Sequence, residues 1–456
     1  MTDPATTPAR RRHAARPSRR LLVLSAMTAV LATACGATAS RPSATPTARA
    51  APTIPPTPTA TPEPADLLAG LTVSPADALL PPQDDNAFTV DLLQQFESSH
   101  ANANFVDSAY SLATALAMLE LGAKGQTQTE IATVLHDAGV TPEMQAAAWK
   151  QFDASLLSTA TSDHISLSVA NALWLQQGLP FDTSFLNTLV NNFAAPSSQV
   201  DFTGDPQGAA TRINKWVSDA THGMIPSVVS AGDVQPLKLA LADAIYFDGH
   251  WLEPFILNET SAGTFHRADH STVTTQLMHA GLVSLPTYSG GGVTALEKPY
   301  VGGHYVADII MPTSQPISSF VASLTPATLT AIEQKLVSTD DVVLTLPKFD
   351  IASQGSLIPM LEALGMTSAF SDTAADFSGI DRMRDIHVGL VMQRARMQVD
   401  EVGTTAAAAT LIGGMGAGAP SHVTPVTFDH PFLFLIRDRT SGAIIFSAQV
   451  ADPTAG

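Results

Sequence analysis

The stretch Glu401-Val-Gly-Thr-Thr-Ala-Ala-Ala-Ala-Thr410 follows a run of strand-forming residues, Val388–Val399, near the end of the 456-residue chain. Gly403 can adopt backbone angles that other residues resist, so it can serve as a hinge. The residues after it are small, uncharged and without proline. In an extended chain alternate side chains share one face, and that face would carry Thr404, Ala406, Ala408 and Thr410. The stretch therefore predicts a segment that can enter the middle of a β-sheet without a steric or desolvation barrier.

The next segment, Gly413-Gly-Met-Gly-Ala-Gly-Ala-Pro420, is rich in glycine and predicts a flexible, accessible loop. Two other interpretations of this region compete. The alanines favour a helix, because alanine is the best helix former, and the glycines could indicate a nucleotide-binding loop. The glycine spacing does not match a dinucleotide fingerprint and does not open a helix. The residues alone leave the helix as an alternative.

The preceding sequence predicts a mixture of helices and strands. Leu112, Leu116 and Leu119 form one helical stripe. Residues 165–174 alternate between apolar and polar, and residues 237–247 form an apolar run that is typical of a buried strand. Because strands and helices do not alternate regularly, we expect one α+β domain over residues 83–456.

Segments spread over nearly the whole domain match one known family in order and spacing. They include Asn171-Ala-Leu-Trp174, Leu346-Pro-Lys-Phe349 and Val426-Thr-Phe-Asp-His-Pro-Phe-Leu-Phe434. In these segments the chain resembles the serpins, which are serine protease inhibitors. The resemblance implies an α+β serpin fold with three β-sheets, about nine α-helices and an exposed reactive-centre loop near the C-terminus. It also implies that the stretch from Glu401 to Thr410 is the hinge of that loop.

The mechanism implied by the resemblance is suicide inhibition. A serine protease attacks the loop and forms an acyl-enzyme, and the cut loop then inserts into the main sheet as a new strand. The family's usual spacing from the hinge glutamate places the cut bond at Ala417–Gly418. Counting back from Phe428 gives a different position, which leaves Met415–Gly416 as the second candidate. A small residue before the bond suits elastase-like or subtilisin-like proteases.

Two alternatives to this function stay open. The chain could be a non-inhibitory serpin that serves as a surface binding module, or it could inhibit cysteine proteases. Non-inhibitory members commonly carry bulky, charged or proline residues in the hinge, and this sequence does not. The hinge composition therefore favours an inhibitor.

The resemblance also implies a polar cluster under the main sheet, where the family usually has two Ser, an Asn and a His. The matching positions here are Ser108, Ser111, Asp243 and Gln393. A buried Asp needs hydrogen-bond donors, and Gln393 could supply one. We expect a rebuilt hydrogen-bond latch that controls opening of the sheet. The alternative is drift at merely structural polar positions.

Residues 1–34 predict a bacterial lipoprotein signal peptide. Six arginines up to Arg20 precede an apolar run, residues 21–34, that is short for a membrane span. We expect cleavage before Cys35 and lipidation of this cysteine; ordinary cleavage after Ala34 is the alternative. Residues 35–82, rich in Thr, Ala and Pro, predict a disordered tether. The prediction is an exported, extracellular domain that is lipid-anchored at the cell surface.

Composition and motifs argue against several other classes. The net charge of −18 argues against nucleic acid as a partner. Cys35 is the only cysteine, so no disulfide is expected in the domain. The histidines lack metal-ligand spacing, and hydrolase motifs are missing, so we expect no metal, no cofactor and no enzymatic activity. The expected partners are a target serine protease in a covalent complex and a membrane reached only through the lipid. We expect a monomer.

Overall fold

Nine α-helices and two hydrogen-bonded β-sheets make up the part of the chain that the computed structural model describes, which is residues 66–193, 198–382, 385–404 and 423–455. This mixture confirms the predicted α+β class. The predicted signal peptide, Cys35 and residues 405–422 lie outside the described residues.

Local capping explains where several helices begin. The Ser108 side chain accepts a hydrogen bond from the Ser111 backbone amide at the start of α2, and Thr141 caps α4 in the same way. None of the described helices is long and apolar enough to cross a membrane. The helices are α1 (Leu80–Ser99), α2 (Ala109–Glu120), α3 (Gly125–Val134), α4 (Pro142–Ser162), α5 (Thr183–Phe193), α6 (Pro206–Ala220), α7 (Ile317–Ala322), α8 (Pro326–Glu333) and α9 (Ile358–Ala363).

The six-stranded sheet has the order β10-β11-β12-β4-β2-β3. Its strands are β2 (Ser166–Gln176), β3 (Ser198–Val200), β4 (Leu239–His250), β10 (Phe349–Ser356), β11 (Val388–Val399) and β12 (Gly403–Thr404). The central strands β4 and β11 run parallel to each other, whereas β2 with β4 and β10 with β11 are antiparallel pairs. The hinge stretch thus continues directly from a central strand of this sheet.

The nine-stranded sheet has the order β1-β15-β14-β8-β7-β6-β9-β13, with β5 paired to β6. Its strands are β1 (Phe105–Asp107), β5 (Ser261–His266), β6 (Thr272–Gly290), β7 (Val293–Pro299), β8 (Tyr305–Pro312), β9 (Val337–Pro347), β13 (Thr424–Thr427), β14 (Phe432–Asp438) and β15 (Ile444–Val450). The long strand β6 pairs with β5 and β9 along most of its length and with β7 at its end. This continuity joins two of the three expected sheets into one.

Helices cover both faces of the six-stranded sheet. On one face α2 contacts β2 and β4, and on the other α6 contacts the same two strands. On the α6 side, Trp174 and Ala242 pack with Ile213 and Val217 in one apolar cluster. A strand inserted beside Ala242 would therefore be buried on both faces, which requires side chains that suit an apolar environment. Farther along the same strands, one face is partly exposed, as Asp248 of β4 and Arg396 of β11 show.

Part of the predicted tether is folded. Leu68 is buried, and the Leu67 amide donates a hydrogen bond of 2.8 Å to the Thr188 hydroxyl. Pro81 and Pro82 are buried in the first turn of α1. Proline is well tolerated there, because the first amides of a helix have no intrahelical acceptor. Folded structure therefore extends to residues before 83, and a helix begins where the prolines predict extended chain.

Candidate functional site

The described part of the hinge stretch forms a tight turn and then a short strand. Residue Asp400 accepts hydrogen bonds on its side chain from the amides of Val402 and Gly403. The strand β12 then pairs with both central strands, Gly403 with His250 and Thr404 with both Gly249 of β4 and Val399 of β11. The hinge therefore already lies between β4 and β11 at their C-terminal ends, which we call the upper end of the sheet.

Gly403 is required by close packing. A Cβ atom at this position would lie 2.1 Å from the carbonyl oxygen of Gly249 and 2.9 Å from Cα of His250. Its φ angle is not in the left-handed region. The sequence predicted the correct residue for a different reason, because the structure needs the missing side chain here and not the wider range of backbone angles.

Glu401 anchors the turn. Its side chain is 7% exposed and pairs with the Lys348 ammonium at 2.7 Å, while the Thr260 hydroxyl donates to the other carboxylate oxygen at 2.8 Å. Burial alone would raise the pKa of Glu401, but the hydrogen bonds from Lys348 and Thr260 outweigh it, so the pKa is lowered. The carboxylate therefore stays charged and holds the turn against the entry to β10.

Thr404 is the first hinge side chain that enters the interior. It is 2% exposed, and its hydroxyl shares a hydrogen bond of 2.6 Å with the hydroxyl of Tyr300. The Tyr300 ring stacks on Trp251 with centroids 4.5 Å apart. A small polar side chain fits this pocket of aromatic groups, whereas a charged side chain would be desolvated there.

Below β12 the two central strands are separated by a slot. β4 and β11 pair with each other only between residues 239–243 and 388–393. Above that point, residues 244–248 of β4 and 394–398 of β11 have no described strand between them. Their backbone groups on this side offer the donors and acceptors of a sheet edge, which is where an added strand binds.

The predicted polar cluster lies at the closed end of this slot. Asp243 and Gln393 form the last cross-strand pair of β4 and β11. The Gln393 side-chain amide donates to Asp243 Oδ2 at 2.9 Å and to the carbonyl of Ser108 at 2.9 Å. The Ser111 hydroxyl donates to Asp243 Oδ1 at 2.5 Å. The four side chains named from the sequence are therefore together, and they connect both central strands to the start of α2.

Asp243 is almost fully buried, and no basic side chain is bonded to it among the described residues. Burial raises the pKa of Asp243 to about 7, although the hydrogen bonds from Ser111 and Gln393 lower it in part. The protonation state of this carboxyl group therefore changes near neutral pH. Asn171, whose side-chain oxygen lies 3.3 Å from the Ser111 hydroxyl, is a fifth member that the sequence analysis missed.

Several predicted site residues lie outside the described residues. These are Cys35, Ala406, Ala408, Thr410, Met415, Gly416, Ala417 and Gly418. Conversely, the contacts of Lys348, Thr260 and Tyr300 with the hinge were not predicted, although Lys348 belongs to a segment that carries the family resemblance. Among the described residues, no group of three or more His, Cys, Asp or Glu side chains could hold a metal ion.

Comparisons with known proteins agree with this architecture. A family model described as Serpin (serine protease inhibitor) matches residues 83–453. An uncharacterised serpin-like protein of Thermococcus kodakarensis is 33% identical over 376 residues, which cover 81% of this chain and 85% of that protein. Plasminogen activator inhibitor 1 of Neovison vison is 31% identical over 372 residues, which cover 80% and 91%. The solved structure of native protease nexin-1 with heparin gives a TM-score of 0.73 at 27% identity, covering 82% of this chain and 100% of that one.

Proposed function

The chain belongs to the serpin family, and we propose that it inhibits a serine endopeptidase as a suicide substrate. The family model is described as one of serine protease inhibitors, and relatives such as plasminogen activator inhibitor 1 are named as inhibitors and not as enzymes. The observation that carries the proposal for this chain is the strand β12, which places the first two residues of an insertable segment between β4 and β11. The small residues that would extend this strand, Thr405 to Ala409, follow directly in the sequence.

The register of β12 indicates where later residues would bind. Gly403 lies opposite His250 and Thr404 opposite Gly249, so an unbroken antiparallel strand would place residues 405–409 opposite 248–244. This is the length of the slot, about 17 Å at 3.4 Å per residue. These residues are Thr405 and four alanines, whose small side chains suit the covered face of the sheet. The other face, which carries Asp248 and Arg396, is partly exposed.

Insertion beyond Ala409 requires the polar cluster to open. In the same register Thr410 would lie opposite Asp243, between Asp243 and Gln393, and would displace their hydrogen bond. Thr410 shares a face with Thr404, so its hydroxyl would point toward Asp243 and could replace the lost donor. We propose that the cluster is a latch, because it holds the lower sheet closed and accepts the loop without leaving Asp243 unpaired.

The same register supports Ala417–Gly418 as the cut bond. Gly414 would lie opposite Leu239, where β4 begins, so an inserted strand from Gly403 to Gly414 matches the whole of β4. Ala417 then lies just beyond the far end of the sheet, where an attached protease would be carried. Cutting at Met415–Gly416 would leave the protease nearer the sheet.

In the proposed reaction the protease serine attacks the carbonyl carbon of Ala417. Its oxygen forms an ester with Ala417, and the amine of Gly418 leaves with a proton. Hydrolysis of the ester by water would release the protease unharmed. Insertion must therefore finish before hydrolysis, and the small hinge residues favour this outcome. The small residue before the bond favours elastase-like or subtilisin-like proteases.

Incubation of the chain from residue 36 onward with elastase-, subtilisin-, chymotrypsin- and papain-like proteases tests this proposal. We expect an SDS-stable covalent complex with at least one serine protease. Mass spectrometry should show that the released C-terminal fragment begins at Gly418. Thr404→Arg is the control, because a charged side chain in the pocket at Tyr300 should convert the inhibitor into a cleaved substrate. Clean turnover of the unmodified chain by every protease would favour the non-inhibitory alternative. A complex with the papain-like enzyme alone would favour a cysteine protease target.

We also propose that the protein is exported and held at a membrane by a lipid on Cys35. The support is the signal-like sequence of residues 1–34 and the cysteine that follows it. Expression in a bacterial host should give a chain that partitions into the detergent phase of Triton X-114, and Cys35→Ser should move it to the aqueous phase. Equal partitioning of the two chains would exclude the lipid.

A further inference from the structure

Lys298, near the end of β7, buries its side chain in the interior, where it is 1% exposed. Its Nζ atom donates a hydrogen bond of 2.7 Å to the carbonyl oxygen of Glu253. The same atom lies 5.3 Å from the ring centroid of Trp251 and 4.6 Å from that of Phe255. Both distances permit cation–π attraction, so the ammonium group is held between one carbonyl oxygen and two aromatic faces.

Trp251 connects this contact to the hinge. Its backbone amide donates to the carbonyl of Val402 at 2.8 Å, and its indole N–H donates to the carbonyl of Asp400 at 3.1 Å. Its ring stacks on Tyr300, which in turn bonds to Thr404. Trp251 therefore bonds to the hinge backbone on both sides of Glu401, through its indole to Asp400 and through its backbone amide to Val402. Its ring also reaches Thr404 through Tyr300.

The charge of Lys298 is not compensated by an ion pair within the described ranges. The Glu253 side chain is exposed and acts on Lys298 only at longer range. Burial lowers the pKa of Lys298 to about 7, and Glu253 raises it in part. Burying an ammonium group without a carboxylate is unfavourable, and an apolar side chain of the same length would avoid that cost. An apolar side chain could not make the hydrogen bond to Glu253 or the contacts of a cation with the two aromatic rings.

We propose that Lys298 is a positioning residue for the hinge: its ammonium group fixes the Trp251 ring, and thereby holds β12 in the register from which loop insertion starts. The part of this inference that concerns insertion rests on the proposed inhibitory function. The part that concerns the position of β12 does not, because it can be measured without a protease.

Hydrogen exchange measured on the chain from residue 36 onward tests the inference. We expect Lys298→Met to speed exchange of the amides of Trp251 and residues 402–404 at pH 6 on the order of tenfold, which is the size expected from a desolvated cation–π contact. Amides of β15 should not change. Lys335→Met, which removes an exposed lysine 5.3 Å above the Tyr288 ring, is the matched control and should leave the hinge unchanged.

The pH profile separates positioning from simple packing. Exchange of the hinge in the two chains should become equal at pH 9, where Lys298 of the unmodified chain has lost its proton. Other titratable groups surround the site, and both chains share them, so their ratio isolates Lys298. These groups are Glu253 from the loop after β4, His250 from β4, Asp400 and Glu401 from the hinge, Tyr300 after β7 and Lys348 before β10.

Equal hinge exchange at pH 6, or a difference that does not depend on pH, would overturn the inference. If Lys298→Met does not fold, Lys298→Gln takes its place in the same comparison at pH 6 and pH 9, because it keeps a donor for the Glu253 carbonyl but carries no charge. With a protease that forms the complex, Lys298→Met should also raise the stoichiometry of inhibition about twofold or more. If Lys298→Met alters hinge exchange but the unmodified chain forms no covalent complex with any protease, the positioning role of Lys298 stands and the inhibitory function is rejected.

Discussion

Replacing Gly403 with alanine would place a methyl group 2.1 Å from the carbonyl oxygen of Gly249. The backbone of β12 must then move away from β4, because no flexible side chain is there to yield. We expect Gly403→Ala to delay loop insertion and to raise the stoichiometry of inhibition severalfold. Titration of a protease that forms the covalent complex measures this.

Gly355→Ala is the matched control for that change. Gly355 lies on β10 in the same sheet, and a Cβ atom there would meet nothing within 4 Å. Its stoichiometry of inhibition should equal that of the unmodified chain. If both alanine variants behave alike, close packing at Gly403 does not control insertion.

Asp243→Asn should change how stability depends on pH. The pKa of Asp243 in the fold is about 7, well above the value near 4 of an unfolded Asp. The bound proton therefore stabilises the fold at low pH, and this stability is lost as the pH rises from about 4 to about 7. The amide does not titrate, so the variant should gain on the order of 2–4 kcal/mol relative to the unmodified chain between pH 4.5 and pH 8.

Urea unfolding of both chains at the two pH values measures this difference. Ser111→Ala serves as the comparison, because it removes a donor to Asp243 and leaves the carboxyl group in place. That variant should keep a pH-dependent loss of stability. A constant difference between Asp243→Asn and the unmodified chain would mean that Asp243 does not titrate in this range.

At the residue scale the sequence identified positions better than it identified partners. Asp243 and Gln393 could be named from the family pattern, and they bond as expected. Lys298 was not predicted, because its aromatic contacts depend on the packing of the loop after β4 against β7. Nothing in the spacing of a single lysine indicates that its ammonium group is buried.

The ion pair of Lys348 with Glu401 joins the start of β10 to the hinge turn. Lys348→Met would leave a buried carboxylate with only the Thr260 hydroxyl as a side-chain donor. We expect a loss of about 1–3 kcal/mol of unfolding free energy, less than for a fully buried pair because Lys348 is partly exposed. Thermal unfolding at pH 7 measures the loss.

Arg396→Met provides the comparison within the same elements. Arg396 on β11 and Asp350 on β10 form a bidentate pair at 2.6 and 2.8 Å, but both side chains are substantially exposed. Removing an exposed pair should lower stability by less than about 1 kcal/mol. If Arg396→Met were the more damaging change, the Glu401 anchor would not be what stabilises the junction.

At the element scale, local patterns predicted most helices and strands but not their pairing. β11 has the predicted bounds Val388–Val399, because its apolar run and the hinge limit it clearly. The parallel pairing of β11 with β4 joins residues about 150 positions apart, and no local pattern encodes it. The resemblance to a family supplied that topology, although the continuous strand β6 still joined two of the sheets that it implied.

The described molecule as a whole buries several carboxyl groups that lack a basic partner. Burial raises the pKa of Asp107 to about 7, with a further increase from Asp243 and a decrease from the Ser447 hydrogen bond. Burial likewise raises the pKa of Asp153 to about 7, against the hydrogen bond from Tyr110. Glu120 and Asp137 are two further carboxyl groups of this kind. Burial raises the pKa of Glu120, and the negative charge of Asp137 raises it further.

These groups predict that the whole fold is more stable in mild acid than at alkaline pH. Each group has a folded pKa above its unfolded value, so the stability that it contributes is complete below pH 4 and is lost as the pH rises toward the folded pKa. Glu401 has the opposite effect, since its lowered pKa makes the fold lose stability as the pH falls below about 4. The maximum of stability should therefore lie near pH 4–5, below the range that is usual for proteins.

Urea unfolding of the chain from residue 36 onward at pH 5, 7 and 9 measures this profile. We expect the unfolding free energy to fall by at least about 3 kcal/mol between pH 5 and pH 9, because the loss from several buried carboxyl groups exceeds the gain from Lys298, whose folded pKa of about 7 makes stability rise above pH 7. Glu120→Gln should reduce the fall above pH 7, since it removes one of two facing acids. Gln151→Glu, an exposed change on α4, adds a carboxyl group without burying it and should leave the profile unaltered. A flat profile in the unmodified chain would mean that the interior compensates these charges by contacts other than those described.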